Sequence, residues 1–225
     1  MTLEDLVRVK NRWRALFRSR GVAVVGDEVY DPANRERLLK KLPTSHRAAA
    51  AVLGEQLDVV NGVHARSEQL LHEQANKIPE VKRLATAPGI ATIRAAQIVA
   101  ILVSPHRFRT KRQLWSYSGL GVVTTVSSEW EKDPKREWAR RKAPQTRGLN
   151  RNRHPLLKSI FKGAALTVIT MMPKHPLHRA YQKQLKEGMD PAMARLTLAR
   201  RIAAAVLAMW KNQEDYNPTK HATEA

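Results

Sequence analysis

Between Ser45 and Lys77 the chain has no proline, and only Gly54 and Gly62 weaken an otherwise helix-forming run. Apolar residues at Ala49, Leu53, Leu57, Val60, Val63, Leu70 and Leu71 recur along it. Their spacing lies between about 3.5 and 3.6 residues, the period of a helix with one apolar stripe. A stripe this long suits half of a helical hairpin or a coiled coil, and a coiled coil makes the protein an oligomer. An ordinary amphipathic core helix accounts for it equally well.

Helical signals continue on both sides. Leu3, Leu6, Val7, Trp13, Leu16 and Phe17 share one face of a basic helix over residues 3–19, opened by Thr2 with Asp5 and ended by Gly21. Val22–Val25 reads as a short strand or a packed loop. Asp31-Pro32 is an N-cap followed by proline at the first helical position, and Pro43 closes that helix. The composition changes near Ile78. Residues 81–84 lead through Thr86-Ala-Pro-Gly-Ile-Ala91 into a second helix over 93–103, and this turn resembles a helix-hairpin-helix element. Thr110 with Gln113 forms a capping box before a short helix that Gly119 ends. Residues 121–154 have little periodicity and many charges, as in a long functional loop or short β-hairpin. Helices then start at His154-Pro155, Pro176 and Asp190-Pro191. The expected fold is mainly α, with a helical linker or coiled-coil region over 1–79, a second domain over 80–212 and a frayed tail over 213–225.

Charge restricts the partners. The chain has 40 Lys+Arg against 20 Asp+Glu, a net +20. Such an excess repels itself, and polyanions relieve the repulsion by releasing their counterions. Nucleic acid is the expected partner. A membrane surface would call for a basic amphipathic helix with bulky aromatics, and no such helix stands out. No apolar run approaches the roughly 18 residues of a membrane span. There is no cysteine, which excludes disulfides and thiolate chemistry. The expectation is a soluble, cytoplasmic, nucleoid-associated protein.

Residues 105–165 concentrate the charge, with 15 Lys+Arg and 4 Asp+Glu. Candidate phosphate contacts there are Arg107, Arg109, Lys111, Arg112, Arg136, Arg140, Arg141, Arg147, Arg151, Arg153 and Lys158. Trp130 and Trp138, set among these cations, suit stacking on unpaired bases, whereas Trp115 suits a core position. Gly89 permits a tight turn that leaves backbone N–H groups at a helix start open to a phosphate; a plain connection between packed helices explains it as well. The eight histidines are scattered, and His64 and His72 share a helix face without a carboxylate, so no metal site is expected. No Walker-type phosphate loop is present. Ser127-Ser128 follow a small-residue approach into the basic segment. A serine hydroxyl attacks phosphorus only when a base takes its proton and cations stabilise the developing charge. A polar turn accounts for the pair too.

Thr86-Ala-Pro-Gly-Ile-Ala91, Arg94-Ala-Ala96, the run from Pro105 to Leu120, and Thr146-Arg-Gly-Leu-Asn-Arg-Asn-Arg-His-Pro-Leu-Leu-Lys158 together resemble one family of transposases. It is the IS-one-ten (also IS-one-sixteen) insertion-sequence family, whose recombinases are guided by a bridge RNA. The resemblance spans 80–212 and extends loosely over 1–79. It implies a serine nucleophile, which falls on Ser127 when counted from Gly119-Leu120. Ser128 stands where a glycine is usual, so it is the alternate. The family also implies an N-terminal RuvC-like domain whose four acidic residues hold magnesium, and a composite site between subunits. No such acidic quartet precedes the linker here, so the chain is expected to be a truncated member. On that expectation it carries no cofactor, magnesium enters only with the RuvC-like domain, and the chain is inactive alone. The implied partners are DNA, a structured guide RNA and a second copy of the chain. The alternative is a truncated, non-catalytic module that binds nucleic acid and oligomerises.

Overall fold

The computed structural model describes residues 2–124, 130–132, 134, 137–140 and 146–221. The chain divides into two compact units, Met1–Gln74 and Ala75–Ala225.

The first unit is helical. Helix α1 spans Thr2–Arg18, α2 Arg35–Lys40 and α3 Thr44–Ala75. Leu6, Val9, Trp13 and Phe17 of α1 are buried with Leu38, Leu42, Ala50 and Leu57. Trp13 is fully enclosed; its Nε1 donates to the Val29 carbonyl at 2.8 Å, and its ring meets Phe17 edge-on at 4.9 Å. Val22–Val25 is a packed loop with Val24 buried, not a strand. The Asp31 carboxylate accepts from the Ala33 N–H at 2.9 Å and caps a turn of 3-10 helix leading into α2. Arg35 pairs with Asp58, holding α2 to α3; the ion pair lowers the Asp58 pKa below its usual value.

The α3 stripe differs from the sequence expectation in two respects. Ala50 is buried and Ala49 exposed, and the first half of the stripe, including Leu57 with Leu53 packed beside it, covers α1. Beyond Leu57 no residue before Ala75 is buried, and Val63 and Leu70 are about half exposed, at 52% and 49%. The periodicity is continuous because the helix is, yet only half of it has a partner within the unit.

In the second unit, α4 is Pro79–Leu84, α5 Thr92–Leu102 and α6 Lys111–Tyr117. Helix α7 is Pro155–Met171, α8 Pro176–Lys186, α9 Pro191–Asn212 and α10 Pro218–His221. Helix α9 is central and touches α4, α6, α7 and α8. Its small buried residues Ala199, Ala203, Ala204 and Ala205 let neighbours approach on several sides, as expected of an interior helix. The Asp190 carboxylate caps it, accepting from Ala192 and Met193 at 2.9 and 3.1 Å. Thr110 sits at the N-cap of α6, but its side chain makes no cap bond; Gln113 Oε1 accepts from the Arg109 N–H instead, at 2.7 Å. Within the 213–225 tail, the described residues include one docked side chain and a short helix. The Tyr216 N–H donates to Thr86 Oγ1 at 2.9 Å, its ring lies 5.7 Å from His175, and α10 follows.

The segment 121–154 holds two antiparallel strand pairs. Strand β1 (Val122–Thr124) pairs with β4 (Thr146–Leu149), and β2 (Trp130–Lys132) with β3 (Trp138–Arg140). The β1–β4 register shifts between Val122 and Thr124, an extra residue on β4 being absorbed where Gly148 adopts φ +85. This is a bulge that glycine favours. The base of this arm is tied to α6: the Asn150 N–H donates to the Gly121 carbonyl at 3.0 Å and the His154 N–H to the Tyr117 carbonyl at 2.9 Å. Among the described residues no single helix is long and apolar enough to cross a membrane.

Candidate nucleic-acid interface

No Asp or Glu occurs between Glu137 and Glu187. Helix α7 therefore contains lysines and no acid, with Lys158 and Lys162 one turn apart. Like charges at this spacing repel by about 0.2–0.5 kcal/mol, and cations near a helix N-terminus oppose its dipole. The fold adds to the repulsion. Arg153 from the loop before α7 and Arg195 from α9 join Lys158 and Lys162 along one cleft of about 550 Å³. Among the described residues no carboxylate lines it. Asp190 is occupied as the α9 cap, and Glu187 lies 3.8 Å from Lys183. Burial, helped by Arg153 and Lys162, pushes the Lys158 ammonium below its ordinary pKa. The Arg153 stem is fixed over Gly119, and its buried Nε has no hydrogen-bond partner among the described residues. The cleft can therefore accept phosphates, which would supply the missing counter-charge.

The other sequence candidates are distributed around the unit. Arg107 is engaged locally: its Nη1 donates to the Leu102 carbonyl at 3.1 Å, closing the end of α5, and its guanidinium lies 5.5 Å from the Tyr117 ring centroid. Arg109, Lys111, Arg112 and Arg151 are exposed. The Lys111 ammonium stands 5.8 Å from the Trp115 ring. Trp115 docks on α9, donating to the Arg200 carbonyl at 3.0 Å, a packing position. Arg140 lies on β3 and Arg147 on β4. Ser127, Ser128, Arg136 and Arg141 lie outside the described residues. Trp130 and Trp138 are 52% and 64% exposed, and the strand register sets Trp130 opposite Arg140 and Lys132 opposite Trp138. The Lys132 ammonium sits 5.4 Å from the Trp138 ring. An alternation of cations and aromatics on a two-stranded ribbon suits phosphate and base contacts together.

Gly89 has a packing explanation. Its φ is +73, and a Cβ there would meet the backbone of Ala164 on α7, with Ala164 Cα at 2.9 Å. Arg94 reinforces the turn by donating to the Gly89 carbonyl at 2.5 Å and to Thr167 Oγ1 at 3.1 Å. The turn is thus a close helix–helix approach. Helix α5 opens at Ala91 without a side-chain cap, so backbone phosphate binding at its first turn stays compatible with the packing. Gly89→Ala is expected to cost about 3 kcal/mol, combining left-handed strain with overpacking. Urea unfolding measures it. DNA affinity at a temperature where the variant remains folded should match the parent's, and a selective loss there would make the turn a phosphate contact.

Sequence reasoning missed Lys162 and Arg195. The spacing of Lys158 and Lys162 on an acid-free helix was a usable signal; Arg195 had none, because only packing brings α9 beside α7. Among the described residues no group of three or more His, Asp or Glu is placed to hold a metal ion. They do not form a site suited to the magnesium that the family resemblance implies.

Residues 81–182 match the family described as Transposase IS116/IS110/IS902 family. This stretch, less than half of the chain, is similar to transposase-family domains, whose class of function is DNA recombination with DNA binding. The match ends within α8, whereas the compact unit continues through α9, against which the matched helices α4, α6 and α7 pack. No curated protein matches the chain.

Proposed function

We propose, from the transposase-family domain at 81–182, that the second unit binds DNA and a structured guide RNA and supplies Ser127 as the nucleophile of DNA strand exchange. The observation that carries the reading is the coincidence of the family match with the acid-free cationic cleft of Arg153, Lys158, Lys162 and Arg195. In the reaction the Ser127 hydroxyl gives its proton to a base and its oxygen bonds to a DNA phosphorus. The bond from that phosphorus to the departing strand breaks, and the departing oxygen takes a proton. Attack by a new strand's hydroxyl reverses these steps and frees the serine. Strand β1 runs directly into the segment that carries Ser127, and its base is anchored on α6. The exposed half of α3 suits a second copy, giving a homo-oligomer acting at nucleoid DNA in the cytoplasm.

A covalent-adduct assay tests this. The chain alone is expected to form no adduct, since the described residues hold no acidic metal cluster. With an RuvC-like domain in trans and a matching guide RNA, an adduct should form that Ser127→Ala abolishes, with folding unchanged within about 0.5 kcal/mol. Loss with Ser128→Ala and survival of Ser127→Ala would move the nucleophile by one residue. No adduct in any reconstitution would favour a non-catalytic, nucleic-acid-binding and oligomerising module.

A further inference from the structure

Directly beside the cationic cleft is a second cavity of about 480 Å³, and the two share Lys158, Lys162 and Arg195. Its character is different. Val122 and Leu149 from the β1–β4 pair, with Met193 and Leu196 from α9, give it an apolar lining, and Gly148 and Ala192 leave space instead of filling it. Its volume lies in the range of about 300–1,000 Å³ typical of small-molecule sites. Among the described residues no carboxylate lines either depression. An aliphatic ligand would leave three neighbouring cations uncompensated, and a bare anion would leave the apolar walls unused. A group with a flat apolar body joined to a phosphate satisfies both. Methionine and leucine side chains offer a surface on which a base can lie, while the shared row of cations takes the flanking phosphates.

We propose that this cavity receives one unpaired base of a DNA strand whose phosphates lie on Lys158, Lys162 and Arg195. The proposal rests on the DNA-binding reading and adds a local structural preference to it. The charge selects a nucleic-acid strand over an apolar protein segment, and the transposase-family match selects DNA.

The test uses the full chain and fluorescence anisotropy with three probes of equal length: a fully paired DNA duplex, the same duplex with a single-nucleotide bulge, and the bulged duplex as RNA. The bulged DNA is expected to bind about tenfold tighter than the paired DNA, the gain from burying part of a base's face against apolar side chains. Ala192→Trp, at an exposed position, fills the cavity; it should erase the preference and leave paired-duplex affinity unchanged. Met193→Glu should also erase the preference by placing a carboxylate in the base site, while weakening paired-duplex binding because that carboxylate offsets the shared cations. Equal binding of bulged and paired DNA, or a preference that survives both variants, overturns the proposal. A preference shown only by the RNA bulge overturns the DNA assignment. Absence of binding to every probe overturns the DNA-binding reading itself, a distinct outcome.

Discussion

DNA affinity is expected to collapse with salt, falling about a thousandfold between 50 and 200 mM, with a slope of log K against log salt on the order of −5 or steeper. The expectation follows from the net charge of +20 and from a cleft in which Arg153, Lys158, Lys162 and Arg195 face no carboxylate among the described residues. Each phosphate bound releases condensed counterions, and dilute salt rewards that release. The triple variant Lys158→Gln, Lys162→Gln and Arg195→Gln should flatten the slope by about 3 and weaken all sequences alike, because phosphate contacts carry no base information. Salt titrations of parent and triple variant measure both. A slope unchanged by the triple variant would move the DNA path off the cleft, to the β2–β3 ribbon with Trp130 and Trp138. The same substitutions should raise stability in low salt, since they remove repulsion that no carboxylate among the described residues offsets.

Trp13→Ala should unfold the first unit. The side chain is fully enclosed, packs edge-on against Phe17, and satisfies the Val29 carbonyl. Removing it costs about 3–5 kcal/mol through lost burial and the cavity left behind, and the orphaned carbonyl adds to that. A unit of this size holds only about 0.05–0.15 kcal/mol per residue in total, so the loss consumes most of it. Limited proteolysis should then cut within residues 1–74 while the second unit, with its own core around α9, resists. Trp13→Phe, which keeps much of the apolar volume, should fall between. Equal protection of the first unit in Trp13→Ala would show that its core does not depend on this ring.

Helix starts and stops were legible in the sequence because they are local. Asp31-Pro32, His154-Pro155 and Asp190-Pro191 set φ and satisfy or dispense with N–H groups within a few residues, so they act whatever the helix packs against. The apolar stripe of α3 was legible as a period but not as an interface. Its burial frame, Ala50 in place of Ala49, and its ending near Val60 depend on where α1 lies. The docking of Tyr216 left no local signal for a related reason: it is held by Thr86 and His175, both remote in sequence.

The sequence by itself determined the helical class, the excess of positive charge, the acid-free stretch from 138 to 186 and the family resemblance. Composition and short-range periodicity are properties of the chain before it folds. Tertiary structure alone decided that Gly89 serves a close approach to Ala164, that Arg107 closes a helix end, and that Arg195 joins Lys158 and Lys162 beside an apolar cavity. Those roles follow from which faces of α5, α7 and α9 dock. That choice is made by the sum of many long-range contacts, each too weak and too distant in sequence to leave a local mark.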